Sequence, residues 1–324
     1  IEEIDSIVIP WNPGSALSSA SGRYTNTPQW RGDYLHAFAG SLLNGLSSPK
    51  ISKIEQVFSS IDQKSIKMKF INHHQSHVAS AYYLSEFDEA AILTIDGRGD
   101  EETGTFSHVQ KNKIKTFDNV KWPHSVGLLY AVVTEYLGFS PYSDEWKVMA
   151  LAAYGNNTSK LSSKISDLVI LKKNGQYELD LSMFTFYLFD KQPRLYSHKL
   201  IELLGPERRK GETILKRHKD IAAGLQKTFE TIVFHQLNYL YKQTKSDNLC
   251  LAGGAAMNSV FNGKIIENTK FEKLFIPPFP DDSGVSIGAA LYESFHINKK
   301  LKRSPMNHNY LGPEYDNKFV ERTI

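Results

Sequence analysis

The feature that most constrains this chain is a short pattern that recurs along it. An apolar run ends in a glycine-containing turn, often with acids, and a helical pattern follows. "AAILTIDGRGD" (90–100) has the strand and the glycine turn, ending at Asp96 with Gly97 and Gly99 beside it. "NLCLAGGAAMNSVFNGKI" (248–265) follows the plan with Gly253 and Gly254 in its turn, and "KLFIPPFPDDSGVSIGAALYESF" (273–295) repeats it with Asp281 and Asp282. Short apolar runs bounded by Gly and Pro read as buried strands, and strands alternating with helices predict an α/β fold. The repetition suits a duplicated α/β domain with a ligand cleft between its halves. There is no short-period repeat of the solenoid kind.

Composition removes several alternatives. The chain has 324 residues, 41% hydrophobic and 23% charged, enough for one large domain or two lobes. A net charge of +3 demands neither nucleic acid nor an anionic membrane. The single cysteine, Cys250, excludes an internal disulfide and fits a reducing, cytoplasmic setting. Apolar runs such as "VGLLYAVV" (126–133) fall well short of the ~18 residues that span a bilayer, so no membrane partner is expected. No secretion signal opens the chain, which begins at Ile1 rather than Met and so reads as a fragment or a processed chain.

The remaining elements follow from pattern. "DSIVIPW" near the start and "SIKMKFINHH" (65–74) read as strands, and residues 1–50 turn Gly/Ser/Pro-rich after the first. "HVASAYYLSEF" has helical spacing. "TGTFSHVQKNKIKTFDNV" and "LVILKKNGQYELDL" read as hairpins, the second turning at Asn-Gly. "PHSVGLLYAVVTEYLGF" (123–139) predicts a helix with Pro123 near its start and Gly138 near its end. Residues 192–218 read as a polar, basic insertion, and 219–244 as the longest helix.

"INHHQSHVASAYYL" (71–84) puts His73, His74 and His77 within five positions. If a helix starts near residue 73, His73 and His77 project from one face, one turn apart, and can chelate one metal ion. His74 then points elsewhere. Strand-end histidines held by backbone groups remain the alternative. Gln75 stands where the glutamate of a zinc-protease HExxH would be. Candidate acidic ligands are Asp96, which also fits a turn, and Asp282 or Asp281, either of which also fits a helix N-cap. Two imidazoles with one or two carboxylates suit Fe, Mn or Zn. Gly253-Gly254 before a helix would offer exposed amides to a phosphate. Glycine there also serves tight packing.

Six blocks in this order, "NHHQSHVASA", "TIDGRGDEE", "WPHSVGLLYAVVTEYLGF", "DEWKVMALAAYG", "LAGGAAMNSVFNGKI" and "PPFPDDSGVSIGAAL", resemble the O-carbamoyltransferases of the nodulation and antibiotic-tailoring type, from about residue 1 to 315. The matching half of those enzymes is a metal-binding actin-like (ASKHA) domain, akin to the universal tRNA threonylcarbamoyl-transfer protein. The resemblance implies a duplicated actin-like domain over 1–300, lacking its earliest strand pair. It also implies a linker over 301–324, including "YLGPEY", that leads towards a YrdC-like domain. That second domain would make carbamoyl-adenylate from carbamoyl phosphate and ATP. The actin-like domain would pass the carbamoyl group to a hydroxyl of a sugar, antibiotic or other small molecule. On this resemblance His73, His77, Asp96 and Asp282 are metal ligands, with Fe(II) placed first and Mn or Zn behind it. Gly97, Gly99, Gly253, Gly254 and Asn258 border the adenylate. His124 is a candidate base or oxyanion donor, or a helix cap, and Lys147 a candidate phosphate partner, or a solvated lysine. The alternatives are threonylcarbamoyl transfer to tRNA, a small-molecule kinase of the same superfamily, and a catalytically dead metal-binding scaffold. Near-neutral charge disfavours the first. The second has no need of imidazole.

Overall fold

The structure is a computed structural model, and it describes residues 4–11, 56–59, 65–187, 194–297 and 301–324. The Gly/Ser/Pro-rich stretch after the first strand lies outside the described residues. Strands β1 (Ser6–Ile9), β2 (Gln56–Ser59) and β3 (Ser65–Phe70) form a sheet in the order β1–β3–β2, with β1 parallel and β2 antiparallel to β3. Helix α1 (His73–Leu84) follows at once. Next come β4 (Glu89–Ile95), β5 (Glu102–Gln110) and β6 (Lys113–Lys121), an antiparallel run whose β5–β6 turn carries Lys111 and Asn112 at positive φ.

Three helices come next, α2 (Val126–Tyr136), α3 (Glu145–Ala152) and α4 (Lys160–Ser166). The hairpin β7 (Val169–Leu171) and β8 (Tyr177–Leu179) turns at Asn174-Gly175, both at positive φ as an Asn-Gly turn requires. Then come α5 (His198–Leu204) and the 29-residue α6 (Lys216–Thr244). Strands β9 (Asn248–Ala252) and β10 (Lys273–Phe275), helix α7 (Val285–Ile297) and a short exposed α8 (Asn317–Thr323) complete the chain. No described helix is long and apolar enough to cross a membrane.

The larger sheet has the order β10–β9–β4–β5–β6, with β10, β9 and β4 parallel. Its central strands are buried on both faces, which explains their unbroken apolar runs. On β4 and β9, Ala90, Ile92, Cys250 and Ala252 pack towards α1 and α7, whereas Ala91, Leu93, Ile95, Leu249 and Leu251 join the main core with α2 and α6. This period-2 alternation makes three layers from one sheet. The small sheet is tied to α7 by the ion pair of Lys69 on β3 with Glu293. The α/β architecture is consistent with the actin-like fold that the resemblance implies.

The blocks ending at Asp96 and Gly253 face one cleft, as the sequence pattern implies, and they do so from a single sheet: β4 and β9 are adjacent parallel strands, paired from Ala91↔Leu249 to Thr94↔Ala252. Parallel neighbours end on the same side of a sheet, so both turns open onto one place. Two local readings need correction. No sustained helix follows Gly253-Gly254, only a 3-10 turn (Gly254–Met257) and two four-residue helices (Ser259–Asn262 and Ile265–Asn268). Within the stretch read as an insertion, α5 buries Leu200 and Leu204 in the main core, and the Arg208 guanidinium donates to the Leu137 carbonyl at 2.6 Å.

Helices α1 and α7 pack so closely that a Cβ on Gly288 would overlap the Ser76 carbonyl oxygen and come within 3.0 Å of Ser80 N. Gly288→Ala should therefore destabilise the protein by about 1–3 kcal/mol through overpacking. Gly263→Ala, where the added carbon meets nothing closer than 3.6 Å, should be neutral or slightly stabilising. Denaturant unfolding of the two variants measures the difference.

Candidate metal centre

The site begins with the start of α1. Asn72 caps the helix, its Oδ1 accepting from Gln75 N at 2.9 Å, and the buried Asp100 accepts from His73 N at 2.9 Å. These two acceptors satisfy helix amides that have no partner within the helix. The helix therefore starts at His73, and His73 and His77 share one face. On β4 the alternation that turns Ile92 towards α1 also turns Thr94 and Asp96 that way. The turn before α7 brings Asp282 to the same point.

The four side chains converge. His73 Nε2 lies 3.0 Å from Asp96 Oδ2, 3.1 Å from His77 Nε2 and 3.3 Å from Asp282 Oδ1. His77 Nε2 lies 3.4 Å from each of those oxygens. Two donor atoms about 2.1 Å from one ion sit roughly 3.0 Å apart at a right angle and roughly 3.4 Å apart at a tetrahedral angle. These five spacings fall in that interval, and all four donor atoms lie within 4.8 Å of one another, as a group that can hold one divalent ion does. His73, His77 and Asp96 are buried, and Asp282 is the exposed member, on the side from which an ion or a ligand arrives. His73 Nδ1 lies 3.3 Å from Pro10 O and its ring lies edge-on to Trp11 at 5.1 Å between centroids, which fixes its orientation. Of Asp281 and Asp282, the former caps the turn, accepting from Ser283 N at 3.3 Å, and only the latter reaches the histidines.

Charge in the cluster is strongly coupled. Burial opposes a proton on His73, but the Asp282 and Asp96 carboxylates outweigh it and raise the pKa to about 10. Burial likewise opposes ionisation of Asp96 and Asp282, yet contact with His73 and His77 holds both carboxyls below their usual range. His74 goes the other way, lowered to about 3 by burial and by its two neighbouring imidazoles. Its Nδ1 lies 2.8 Å from the Thr94 hydroxyl and its Nε2 3.0 Å from Glu102 O. Neutral His74 thus accepts from Thr94, donates to the carbonyl and holds α1 on the sheet.

The cluster closes one end of a cleft of about 460 Å³. Asp96, Gly97, Gly254 and Asp282 border it, Leu128, Tyr130, Met149 and Phe229 wall it, and the exposed Tyr142 and Trp146 flank it. Gly254 N and Gly97 N both donate to Asp96 Oδ1, at 3.1 and 2.8 Å, leaving Oδ2 for the histidines. Gly253 holds φ +94°, and a side chain there would strike the Ile95 backbone. Gly99 lies against the His74 ring, beneath the site. Asn258 borders the cleft, but its amide is spent capping Phe261 N and pairing with Gln226.

Two candidates do not join the cluster or border this cleft. His124 Nδ1 accepts from Leu179 N at 3.0 Å, and the Thr103 hydroxyl and Tyr177 OH donate to its carbonyl. It fastens the β7–β8 hairpin, and burial lowers its pKa. Lys147 lines a separate groove, pairs with Asp144 at 2.8 Å and lies 5.3 Å from the Trp146 ring centroid. Sequence reasoning missed Thr94 and Asp100. Strand alternation could have found Thr94, two residues before Asp96, whereas nothing local ties Asp100 to the His73 amide.

With His73 protonated at pH 7, an entering metal ion must displace that proton. Zinc binding should release about one proton at pH 7, and conditional affinity should rise roughly tenfold per unit between pH 6 and 8. Calorimetry in buffers of different ionisation enthalpy measures both. Affinity independent of pH in that window would contradict the arrangement of charges described here.

Comparison with known proteins fits this geometry into a family. A family model described as "Carbamoyltransferase N-terminus" matches residues 1–291. An uncharacterized protein of Synechocystis is 38% identical over 257 residues, covering 78% of this chain and 41% of that protein. Nodulation protein NolO of Bradyrhizobium diazoefficiens is 32% identical over 247 residues, covering 76% and 42%. Nodulation protein U of Rhizobium fredii is 28% identical over 312 residues, covering 90% and 50%. The chain thus spans half or less of the length of these curated relatives. Among solved structures, a Clostridium difficile activator of 2-hydroxyisocaproyl-CoA dehydratase with bound ADPNP is similar at a TM-score of 0.40 and 16% identity, covering 86% of this chain and 87% of that one. Since the family model takes in all four converging side chains and most of the sequence, the chain belongs to the carbamoyltransferase N-terminus family.

Proposed function

We propose that this chain is the metal-holding, acyl-transferring part of a carbamoyltransferase, moving a carbamoyl group from carbamoyl-adenylate to a hydroxyl of a small-molecule acceptor. The observation that carries the reading is the convergence of His73, His77, Asp96 and Asp282 at the end of an open, largely apolar cleft. Family membership supplies the carbamoyl chemistry. The adenylate would be made from carbamoyl phosphate and ATP in a further part of a longer protein.

Two imidazoles and two carboxylates suit Fe(II), with Mn(II) and Zn(II) as the alternatives. A divalent ion so held supplies a Lewis acid for the acyl carbonyl. The chain's own residues do the rest. The apolar walls formed by Tyr130, Leu128 and Phe229 exclude water that would hydrolyse the mixed anhydride. The exposed rings of Tyr142 and Trp146 offer a stacking surface for the adenine base. Bonds from Gly97 N and Gly254 N keep Asp96 ionised and oriented. In the transfer, the acceptor oxygen bonds to the carbamoyl carbon, and the bond from that carbon to the phosphate oxygen breaks. AMP leaves with the electron pair, and the hydroxyl proton passes to water.

The test uses the longer natural protein with radiolabelled carbamoyl phosphate, ATP and a panel of polyol and amino-sugar acceptors. Label should appear in an acceptor with release of AMP. Asp282→Asn should lower turnover by more than the roughly 10–100-fold typical of losing an outer partner of a ligand, while Asp281→Asn stays within about tenfold. Transfer of the ATP γ-phosphate to the acceptor would favour a kinase, and Asp282→Asn at full rate would remove that carboxylate from the mechanism.

A further inference from the structure

Helix α1 is buried along nearly its whole length, with Gln75 the exception, so its axial position decides where His73 and His77 sit. Its first turn is held by Asn72 and Asp100. Its last turn leaves carbonyl groups without helical partners. Ser85 N and Ser85 Oγ donate to Tyr82 O at 3.1 and 2.8 Å, and the rest of the capping comes from a segment more than 200 residues away in sequence, which reaches Leu84 O and the Phe87 carbonyl just past the helix. Met306 N donates to Leu84 O at 2.8 Å, and Arg303 Nη1 lies 3.4 Å from Tyr82 O and donates to Phe87 O at 2.7 Å. Arg303 Nη2 pairs with Asp88 at 2.9 Å, and the guanidinium lies 4.4 Å from the Tyr82 ring centroid. A planar cation with several fixed donors suits the negative end of a helix better than an ammonium would.

The same stretch of chain reaches the other end of α1. Asp282, in the turn before α7, meets His73 and His77 at the start of α1. Phe295, near the end of α7, stacks on Tyr83 at 4.2 Å between centroids. Helix α7 therefore runs alongside α1 in the same direction, with Asp282 at the α1 histidines and Arg303 and Met306 at the final turn of α1.

We propose that Arg303 is a positioning residue for the metal centre. It fixes α1 along its axis from the distal end, so that the imidazoles are presented in register with Asp96 and Asp282. The proposal rests on the metal-holding reading above. The segment carrying Arg303 is thereby tied to the end of α1 twice, by the guanidinium and by Met306 N.

The experiment compares the full chain with Arg303→Ala and Arg303→Lys, using Co(II) as the probe metal. Tyr239→Phe, which removes a hydrogen bond to Asp118 on the opposite face of the sheet, is the control for general destabilisation. Arg303→Ala should weaken Co(II) binding about tenfold and alter its visible absorption. Arg303→Lys should restore part of both, and Tyr239→Phe should change neither. Amide hydrogen exchange should quicken in Arg303→Ala across residues 76–80 as well as in the final turn. Faster exchange confined to the final turn, with Co(II) affinity and absorption unchanged, overturns the proposal. If the wild-type chain takes up no Co(II), the metal-holding reading fails instead, and exchange at residues 76–80 alone decides the role of Arg303.

Discussion

A buried carboxylate at the end of a central strand is the constraint on which this structure turns. Asp96 leaves β4 in a place with almost no water, where an unpaired negative charge is costly. The chain answers with two glycine amides on one oxygen and two imidazoles on the other. Each answer restricts a neighbouring element. The amides require the Gly254 turn of β9 to lie beside β4, and the imidazoles require α1 to begin at His73 and to lie flat on the sheet. Ser125 Oγ also donates to Asp96 O at 3.1 Å, which docks the start of α2 on the same residue.

The division of labour among the three histidines follows from direction on the helix. His73 and His77 turn into the cluster, where two carboxylates favour a cation. His74 turns about a third of a circle away, into a neutral pocket made by Thr94 and the Glu102 carbonyl. One short segment thus supplies both the donors and the wedge that seats them. The charge state reverses over a few ångströms because both carboxylates contact His73, whereas burial and the neighbouring imidazoles dominate at His74.

The cleft has a complementary logic. Its inner end is polar and pre-arranged, and its walls are aromatic and aliphatic. Helix α3 forms part of one wall and buries only Val148 deeply, so Trp146 and Met149 remain presented to the cleft. Such a surface suits a flat ring, and the Asp96 and Asp282 carboxylates mark the end where acyl transfer would occur.

Much of this was legible in the sequence. The apolar strands, the Asn-Gly hairpin, the long α6 and the i, i+4 histidine pair are local patterns, set by side-chain periodicity and turn chemistry. The six ordered blocks carried the family. What local pattern could not decide was pairing across distance. "LAGG" reads the same whether it belongs to a second lobe or to the strand beside Asp96, because the choice lies in β4–β9 hydrogen bonds between residues ~160 apart. His124 looked available because it precedes a helix, and Lys147 because a lysine can neutralise a phosphate. Only the folded chain commits the first to Leu179 N and pairs the second with Asp144 at 2.8 Å. Sequence by itself determined which residues could bind an ion. Tertiary structure decided which of them meet, because a ligand set is a distance condition on atoms drawn from three separate elements, and no single segment contains it.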